Sequence, residues 1–490
     1  MNLKLIFISL GLLLTELLTA QDQTTELSLK QVIEIARMES PDAQMARHSF
    51  RSAYWNYKYY RANYLPSLSL TSDPNLNRAI NKITMGDGSV KFVEQNLLNT
   101  DLTLNLSQNL SWTGGSFFLE TSAQRMDLFS EHKYSWQTSP IMIGYRQSLF
   151  GYNSLKWDRR IEPVRYQEAK KSYVETLELV SANAINKFFA LATAQSDYDI
   201  ASFNYANADT LYRYAQGRYN IGTITENEML QLELNRLTEE TNRMNALIEM
   251  DNCMQELRSY LGIHEDRELR VLVSPQIPDF SVNLNEALAL AYENSPDIQT
   301  MERRKLESES AVAKARANAG LKADIYLRFG LTQTADKLPE AYRNLLDQQY
   351  VSIGISLPIL DWGRGKGQVR VARSNRDLVY TQVEQSRTDF ELNVRKLVKQ
   401  FNLQTQRVRI AARTDETAQR RSEVARKLYL LGKSTILDLN ASISEKDSAR
   451  RNYISALYNY WSLYYTLRSM TLYDFERNTI LTEDYHLLIE

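Results

Sequence analysis

The feature that most restricts the fold of this chain is a helical pattern of 66 residues that occurs twice. It runs from Ser154 to about Tyr219 and again from Arg364 to about Tyr429, and Pro163 is the one proline in either run. At 1.5 Å per residue each helix would reach roughly 100 Å, which is deeper than any globular core. Apolar residues recur at heptad spacing in both runs, so we expect the helices to pack side by side as coiled coil.

A glycine follows each long run and predicts a reversal of the chain. Gly222 and Gly432 stand where the two helices should end, and helical patterns resume over 225–261 and 435–472. The chain is therefore predicted to be mainly α, with two long antiparallel helical hairpins. We call the two reversals the tip turns, residues 218–230 and 428–440.

The hairpins belong to an internal repeat. Residues 28–63 align without gaps with 283–318 at an offset of 255, and both copies contain Ser-Pro-Asp, in which Ser should cap a helix and Pro should open it. The tip turns align at an offset of 210, so the first half carries 45 extra residues (255 − 210), which fall between Asn63 and Ser154. We predict a first repeat over 21–262, a linker over 263–282, a second repeat over 283–472 and a C-terminal tail over 473–490.

The N-terminus predicts export from the cytoplasm. Lys4 precedes an apolar run, and Ala20 offers a small residue for cleavage, so residues 1–20 are interpreted as a signal peptide. The single cysteine, Cys253, excludes an intrachain disulfide framework. The balance of 58 basic and 59 acidic residues gives no reason to expect a nucleic-acid partner.

Short alternating segments between the helices predict β-strands. About four are readable, over 101–110, 139–150, 323–333 and 350–359, with more if a hairpin at 111–121 (SWTGGSFFLET) joins the sheet. Residues 75–100 are interpreted as an extracellular loop. Alternation of this kind is typical of membrane-barrel strands and also of a half-buried soluble sheet, and export favours the membrane. Four strands are too few to close a barrel in outer-membrane lipid, so several copies must pool them.

The order of these features resembles the TolC family of outer-membrane efflux channels. The resemblance covers nearly the whole mature chain and is carried by the repeated Ser-Pro-Asp, by SLPILDWGRGKG at 356–367 and by both tip turns. It implies a homotrimer in the cell outer membrane, with a twelve-stranded β-barrel and an α-helical barrel that extends through the periplasm. It also implies a passive exit duct that docks with a periplasmic adaptor and an inner-membrane transporter to export small molecules or polypeptides. The alternative is a soluble periplasmic coiled-coil scaffold.

The resemblance further implies a gate beside the tip turns. Tyr429 stands at the position of the family's gate tyrosine and Glu228 at that of its acidic partner, with Asn227 before it. Asp438 matches a pore-facing aspartate, whose three copies would ring the constriction and favour cations. The alternative for Glu228 and Asp438 is that they are acids favoured at helix N-termini.

Two positions depart from the family's gate. Ser434 replaces an arginine, for which the neighbouring Lys433 is a substitute, and Ala441 replaces a second aspartate. The gate is therefore expected to be weaker or built differently. The residues at the apex of the tip turns are the expected adaptor-docking positions: Ile221, Gly222, Thr223, Leu431 and Gly432.

The sequence offers no catalytic, metal or cofactor site. Gly363-Arg-Gly-Lys-Gly367 resembles a phosphate loop, but Gln368 stands where a Mg²⁺-binding hydroxyl would be needed. We interpret this segment as a tight turn from strand to helix. The four histidines are scattered along the chain, so we predict no metal ligand set and no enzyme.

Overall fold

A computed structural model of the chain describes residues 25–264, 268–431 and 433–489. The predicted signal peptide and Gly432 lie outside these ranges. The chain divides into two compact units. The helical unit contains the residues up to Arg51, Ala169–Pro296 and the residues from Thr388 onward, and the sheet unit contains Ser52–Glu168 and Asp297–Arg387. Within the described ranges, none of the helices combines the length and apolar character needed to cross a bilayer.

The helices follow the predicted repeat. They are α1 Leu29–Glu39, α2 Pro41–Ala62, α3 Ser154–Asn220, α4 Glu226–Leu261, α5 Leu284–Asn294, α6 Pro296–Ala319, α7 Arg364–Leu430 and α8 Ile436–Thr471. The two long helices, α3 and α7, have 67 residues each, and the two returning helices, α4 and α8, have 36. The predicted pair of long hairpins is confirmed.

The repeated Ser-Pro-Asp separates two helices in each half, as predicted. Ser40 ends α1, and its buried hydroxyl accepts a hydrogen bond from the N–H of Ala43 at 3.1 Å, so it also caps α2. Pro41 then opens α2, where its missing N–H costs nothing. Ser295 and Pro296 occupy the same places between α5 and α6.

In the helical unit the four long segments pack in the order α4, α3, α8, α7. Helix α3 is bonded to α4 through Lys187 and Glu256 at 2.8 Å, and to α8 through Asp197 and Arg451 at 2.6 Å. Helix α8 meets α7 where Gln404 donates to the carbonyl of Ala456 at 3.0 Å. The largest buried side chains of this unit include these: Phe188, Phe401, Tyr460 and Tyr464. Helices α4 and α7 therefore flank the other two.

A buried carboxylate ties three distant segments of this unit together. Glu178 on α3 is fully buried and accepts from Arg37 of α1 at 2.6 Å and from Arg468 of α8 at 2.7 Å. Arg468 also contacts Asp474 at 2.9 Å, and Arg37 contacts Glu483 at 2.6 Å. The residues after α8 are thus held against the helices, with a short pairing of β10 Tyr473–Asp474 and β11 Thr479–Ile480.

The strands of the sheet unit form one antiparallel sheet. They are β2 Ser67–Thr71, β3 Asn75–Thr84, β4 Val90–Leu110, β5 Gly115–Leu128, β6 Lys133–Ser148, β8 Lys322–Ala335 and β9 Leu346–Ser356. The order is β2-β4-β5-β6-β8-β9, and β3 pairs with the outer part of β4, beyond the stretch that pairs with β2. The remaining short strands, β1 Thr25–Ser28 and β7 Leu269–Leu272, pair in parallel in the helical unit.

The strand predictions need one correction and settle one alternative. The sheet has six strand positions, the higher count expected if the 111–121 hairpin joins the sheet, because this segment forms the turn after β4 and the start of β5. The segment 75–100, predicted to be a loop, is mostly the hairpin of β3 and β4. Asparagine is common in β3 and Arg78 lies between Leu76 and Ile80 on the same face, so no apolar alternation marks the strand, and pairing with β4 decides its structure.

Candidate functional site

One face of the sheet is apolar and exposed on every strand. The side chains share a face by register, and many are large: Leu68, Leu70, Leu102, Leu104, Leu106, Phe117, Leu119, Ile141, Ile143, Phe329, Val351, Ile353 and Ile355. Leu70 on β2 and Ile353 on β9, at opposite edges, are both 62% exposed. Exposed apolar area that spans a whole sheet needs an apolar environment.

The opposite face of the sheet is polar. Serine, threonine and asparagine occupy this face on β2 and the paired part of β4, and Glu120 on β5 forms an ion pair with Arg328 on β8 at 3.3 Å. Phe118 crosses Gly144 to stack on Tyr326 with ring centroids 5.9 Å apart. A Cβ at position 144 would lie 2.0 Å from the Phe118 ring, which explains the glycine. The predicted alternation of apolar and polar faces is confirmed.

The first tip turn is built by local hydrogen bonds. Gly222 adopts φ +74° and its N–H donates to the carbonyl of Tyr219 at 2.9 Å, while the N–H of Thr223 donates to Arg218 at 2.9 Å. Thr225 then caps α4 in a capping box with Glu228, whose carboxylate accepts from the Thr225 N–H at 3.0 Å. Glu228, predicted as a gate acid, therefore has a local role in the protomer.

The second tip turn repeats this arrangement 210 residues later. The N–H of Lys433 donates to the carbonyl of Leu428 at 2.9 Å, and Thr435 caps α8 in a capping box with Asp438. The Thr435 hydroxyl donates to the Asp438 carboxylate at 2.7 Å and Ser434 donates at 3.4 Å, and these hydrogen bonds lower the pKa of Asp438. Asp438 is solvent-exposed and ionised at neutral pH.

The other predicted gate and docking residues lie at the same two turns. Tyr429 is half-buried on the last turn of α7, and Asn227 is exposed on the first turn of α4. Ile221 and Leu431 are apolar yet 74% and 69% exposed. Leu437, which was not predicted as a docking residue, is 76% exposed in the first turn of α8. The sequence could have indicated Leu437, because it is an apolar residue in the polar first turn of a helix and stands next to Asp438.

Two further apolar stripes, which were not predicted from the sequence, lie on the flanking helices α4 and α7. On α4 five exposed residues are spaced three, four or seven apart: Leu230, Leu234, Leu237, Met244 and Ile248. On α7 three others are separated by multiples of seven: Leu403, Ile410 and Val424. A heptad stripe is a coiled-coil seam, and these two seams have no partner within the described residues of the protomer.

The glycine-rich segment 363–367 lies at the turn into α7 and includes the first turn of that helix, and the carboxylate of Asp361 stabilises it. The Asp361 carboxylate accepts from the N–H groups of Gly363 and Gly365, at 2.9 and 2.8 Å, and these bonds lower its pKa. Ala319 lies 3.0 Å from where a Cβ of residue 365 would be. The N–H groups that a phosphate would need are thus engaged by a carboxylate, in agreement with the interpretation as a turn.

Long paired helices and a sheet with one apolar and one polar face define an outer-membrane channel protein, and the family comparison agrees. The chain belongs to the outer membrane efflux protein family, whose model matches residues 32–263 and 287–471. It is an efflux channel of the outer membrane with a periplasmic extension, and members of this family are channels rather than enzymes. The alternative of a soluble periplasmic scaffold is therefore set aside.

Individual relatives share the fold over most of their length. The chain is 24% identical over 451 residues to toxin and drug export protein A of Aggregatibacter actinomycetemcomitans, which covers 86% of this chain and 94% of that protein. The Campylobacter jejuni CmeC outer membrane channel superposes with a TM-score of 0.68 at 15% identity, over 94% of this chain and 88% of that one. The Vibrio cholerae outer membrane protein VceC gives 0.63 at 15% identity, over 90% and 95%.

Proposed function

We propose that three copies of this chain form a passive exit duct that docks with a periplasmic adaptor and an inner-membrane transporter. The observation that carries the proposal is the sheet, which is apolar on one face and whose edge strands, β2 and β9, have no further pairing strand among residues 25–264, 268–431 and 433–489. Unpaired strand edges are not tolerated in lipid, so another copy must cover them. The unpartnered seams on α4 and α7 support the same assembly, because each would meet a flanking helix of the next copy.

Membrane fractionation with chemical cross-linking tests this assembly. The protein is expected in the detergent-soluble outer-membrane fraction, and cross-linking is expected to give bands up to a trimer and none beyond. Release by osmotic shock as a monomer, without detergent, would contradict the proposal.

The apices of the tip turns are the proposed docking surface for the adaptor. Ile221, Gly222 and Thr223 form the first apex, and Leu431 and Gly432 belong to the second. The exposed apolar side chains of Ile221 and Leu431 support the proposal, because a coiled-coil adaptor tip could bury them. The relative that is named for toxin and drug export suggests cargo of similar kinds for this chain.

A pair of aspartate substitutions tests docking separately from assembly. Ile221→Asp is expected to lower dye export from cells severalfold, while trimer formation stays unchanged. Met38→Asp is the matched control, because Met38 is also apolar and 69% exposed but lies on α1, away from the turns. Equal export by both variants would remove Ile221 from the docking surface.

We also propose that the duct is closed at the tip turns. Tyr429, Glu228 and Asn227 would contribute polar contacts between neighbouring turns. Ser434 stands at the position of the family's arginine, and Lys433, one residue earlier, would substitute for it. Asp438 supports the proposal, because it is exposed and ionised, so three copies around an axis would place three carboxylates at the constriction.

A further inference from the structure

The first half of the chain contributes two more strand positions to the sheet than the second half does. Between α6 and α7 the chain makes one hairpin, β8 and β9, whereas between α2 and α3 it makes two, with β4 and β5 joined by a tight turn at 111–114. Strands β4 and β5 pair over 14 residues, from Leu97 opposite Leu128 to Leu110 opposite Gly115. A tilted strand needs about 9–11 residues to cross a bilayer, so each is long enough. The edge position beside β4 is filled by β2 and then β3, which pair with residues 103–107 and 90–99 of β4 and together reach this length.

Strands β4 and β5 are called the added strands below. Side chains on the polar face connect β5 to β8, a strand of the second half. Phe118 of β5 reaches over Gly144 of β6 to Tyr326 of β8, and it is only 8% exposed. Glu120 of β5 and Arg328 of β8 form their ion pair across the same strand. Strand β5 is therefore held to β8 by backbone pairing through β6 and by side-chain contacts across β6. It is an integral strand of the sheet.

The apolar face continues across the added strands without a gap. Leu104 on β4 is opposite Leu70 on β2, and Leu106 is opposite Leu119 on β5, which is opposite Ile143 on β6. Leu104 and Leu119 are each 37% exposed. The added pair thus presents apolar residues in register with those of its neighbours.

The direction of the edge strands fits closure by further copies of this chain. Six antiparallel strands in sequence leave β2 and β9 running in opposite directions, so β9 of one copy can pair antiparallel with β2 of the next. We propose that the outer-membrane wall contains eighteen strands, six from each of three copies, instead of the twelve that the family resemblance implies. This inference rests on the proposed trimer.

An eighteen-stranded wall would be substantially wider. With strands about 4.8 Å apart and tilted by about 40°, the backbone diameter is about 36 Å, against about 24 Å for twelve strands. Side chains occupy about 5 Å on each side, which leaves a passage about 26 Å wide. A helix with its side chains is about 10–12 Å thick. A passage about 26 Å wide could therefore admit two helices side by side, whereas the passage about 14 Å wide in a twelve-stranded barrel would admit one helix.

Matched cysteine pairs test whether the added strands belong to the wall. In a Cys253→Ser background, Ala123→Cys and Ser122→Cys place adjacent thiols on the apolar and polar faces of β5, a strand that the predicted set of four does not contain. Ile353→Cys and Ser352→Cys do the same on β9, which belongs to the wall in either case. Each variant is treated in outer-membrane vesicles with a membrane-impermeant maleimide and, separately, with a lipid-soluble maleimide.

We expect both pairs to alternate: the impermeant reagent should label positions 122 and 352 at least tenfold more than 123 and 353, and the lipid-soluble reagent should do the reverse. Alternation on β9 but equal aqueous labelling at 122 and 123 would refute the eighteen-stranded wall and leave the duct intact. Absence of alternation on β9 would refute the membrane duct itself. A cryo-EM map of the unmodified trimer provides the direct count, and twelve strands would overturn the inference.

Discussion

Removal of the Glu178 carboxylate should destabilise the helical unit strongly. The side chain is fully buried and holds Arg37 and Arg468, which come from segments 141 and 290 residues away. In Glu178→Ala both guanidinium groups lose their shared partner. Removing one partner of a buried ion pair lowers the free energy of unfolding by about 3–5 kcal/mol. Glu178→Gln keeps one acceptor and removes the charge, so we expect a smaller loss of about 1.5–3 kcal/mol.

The assay is thermal unfolding of the detergent-solubilised protein, followed by circular dichroism at one fixed heating rate. At about 2 °C per kcal/mol for a large domain, Glu178→Ala should lower the apparent midpoint by roughly 6–10 °C. Glu34→Gln is the control. It lies one turn from Arg37 on α1, and its contact with Lys30, at 3.9 Å, is between side chains that are 60% and 78% exposed. A midpoint for Glu178→Ala within about 1 °C of this control would refute the reasoning.

Three further predictions follow from local geometry. Gly144→Ala should block assembly of the sheet, because the added Cβ would overlap the Phe118 ring. Gly354→Ala should assemble normally, because no described atom lies within 4 Å of a Cβ at that position. The yield of heat-resistant trimer on gels measures both outcomes. Asp438→Asn should lower cation selectivity in planar bilayers, measured as reversal potential in a salt gradient, and an unchanged potential would remove Asp438 from the pore. Although burial alone would raise its pKa, hydrogen bonds and a neighbouring arginine lower the pKa of Asp474 below its usual range. Its stabilising effect should therefore be complete above about pH 4 and vanish as the pH falls through the folded-state pKa, so Asp474→Asn should destabilise at pH 7 and match the wild type in acid.

The long helices were predictable because breakers are rare and stand where the helices end. Pro163 lies near the start of α3, in its third turn, and does not interrupt it. The predicted ends, at about Tyr219 and Tyr429, each fall one residue before the observed ones. The second hairpin was then predictable from the first, because offsets of 255 and 210 residues align the equivalent helix caps of the two repeats.

Strand β3 was harder to predict because pairing with β4, rather than its own residue pattern, decides its structure. Strand β3 has no apolar alternation of its own, and Arg78 pairs across to Glu94 on β4 at 3.7 Å. The capping boxes were readable as Thr-x-x-Glu and Thr-x-x-Asp, but the family resemblance drew attention to the acids as gate residues. The local and the pore roles of Asp438 are compatible, since its capping partners contact one carboxylate oxygen, Oδ2.

Single-channel recording tests the central claim of a passive duct most directly. Purified protein in a planar bilayer, with no nucleotide and no second protein, is expected to give discrete ohmic conductance steps, since in the proposed trimer three pooled sheets would enclose a water-filled passage. Recordings indistinguishable from protein-free bilayers, from a preparation shown to contain inserted trimer, would contradict the account.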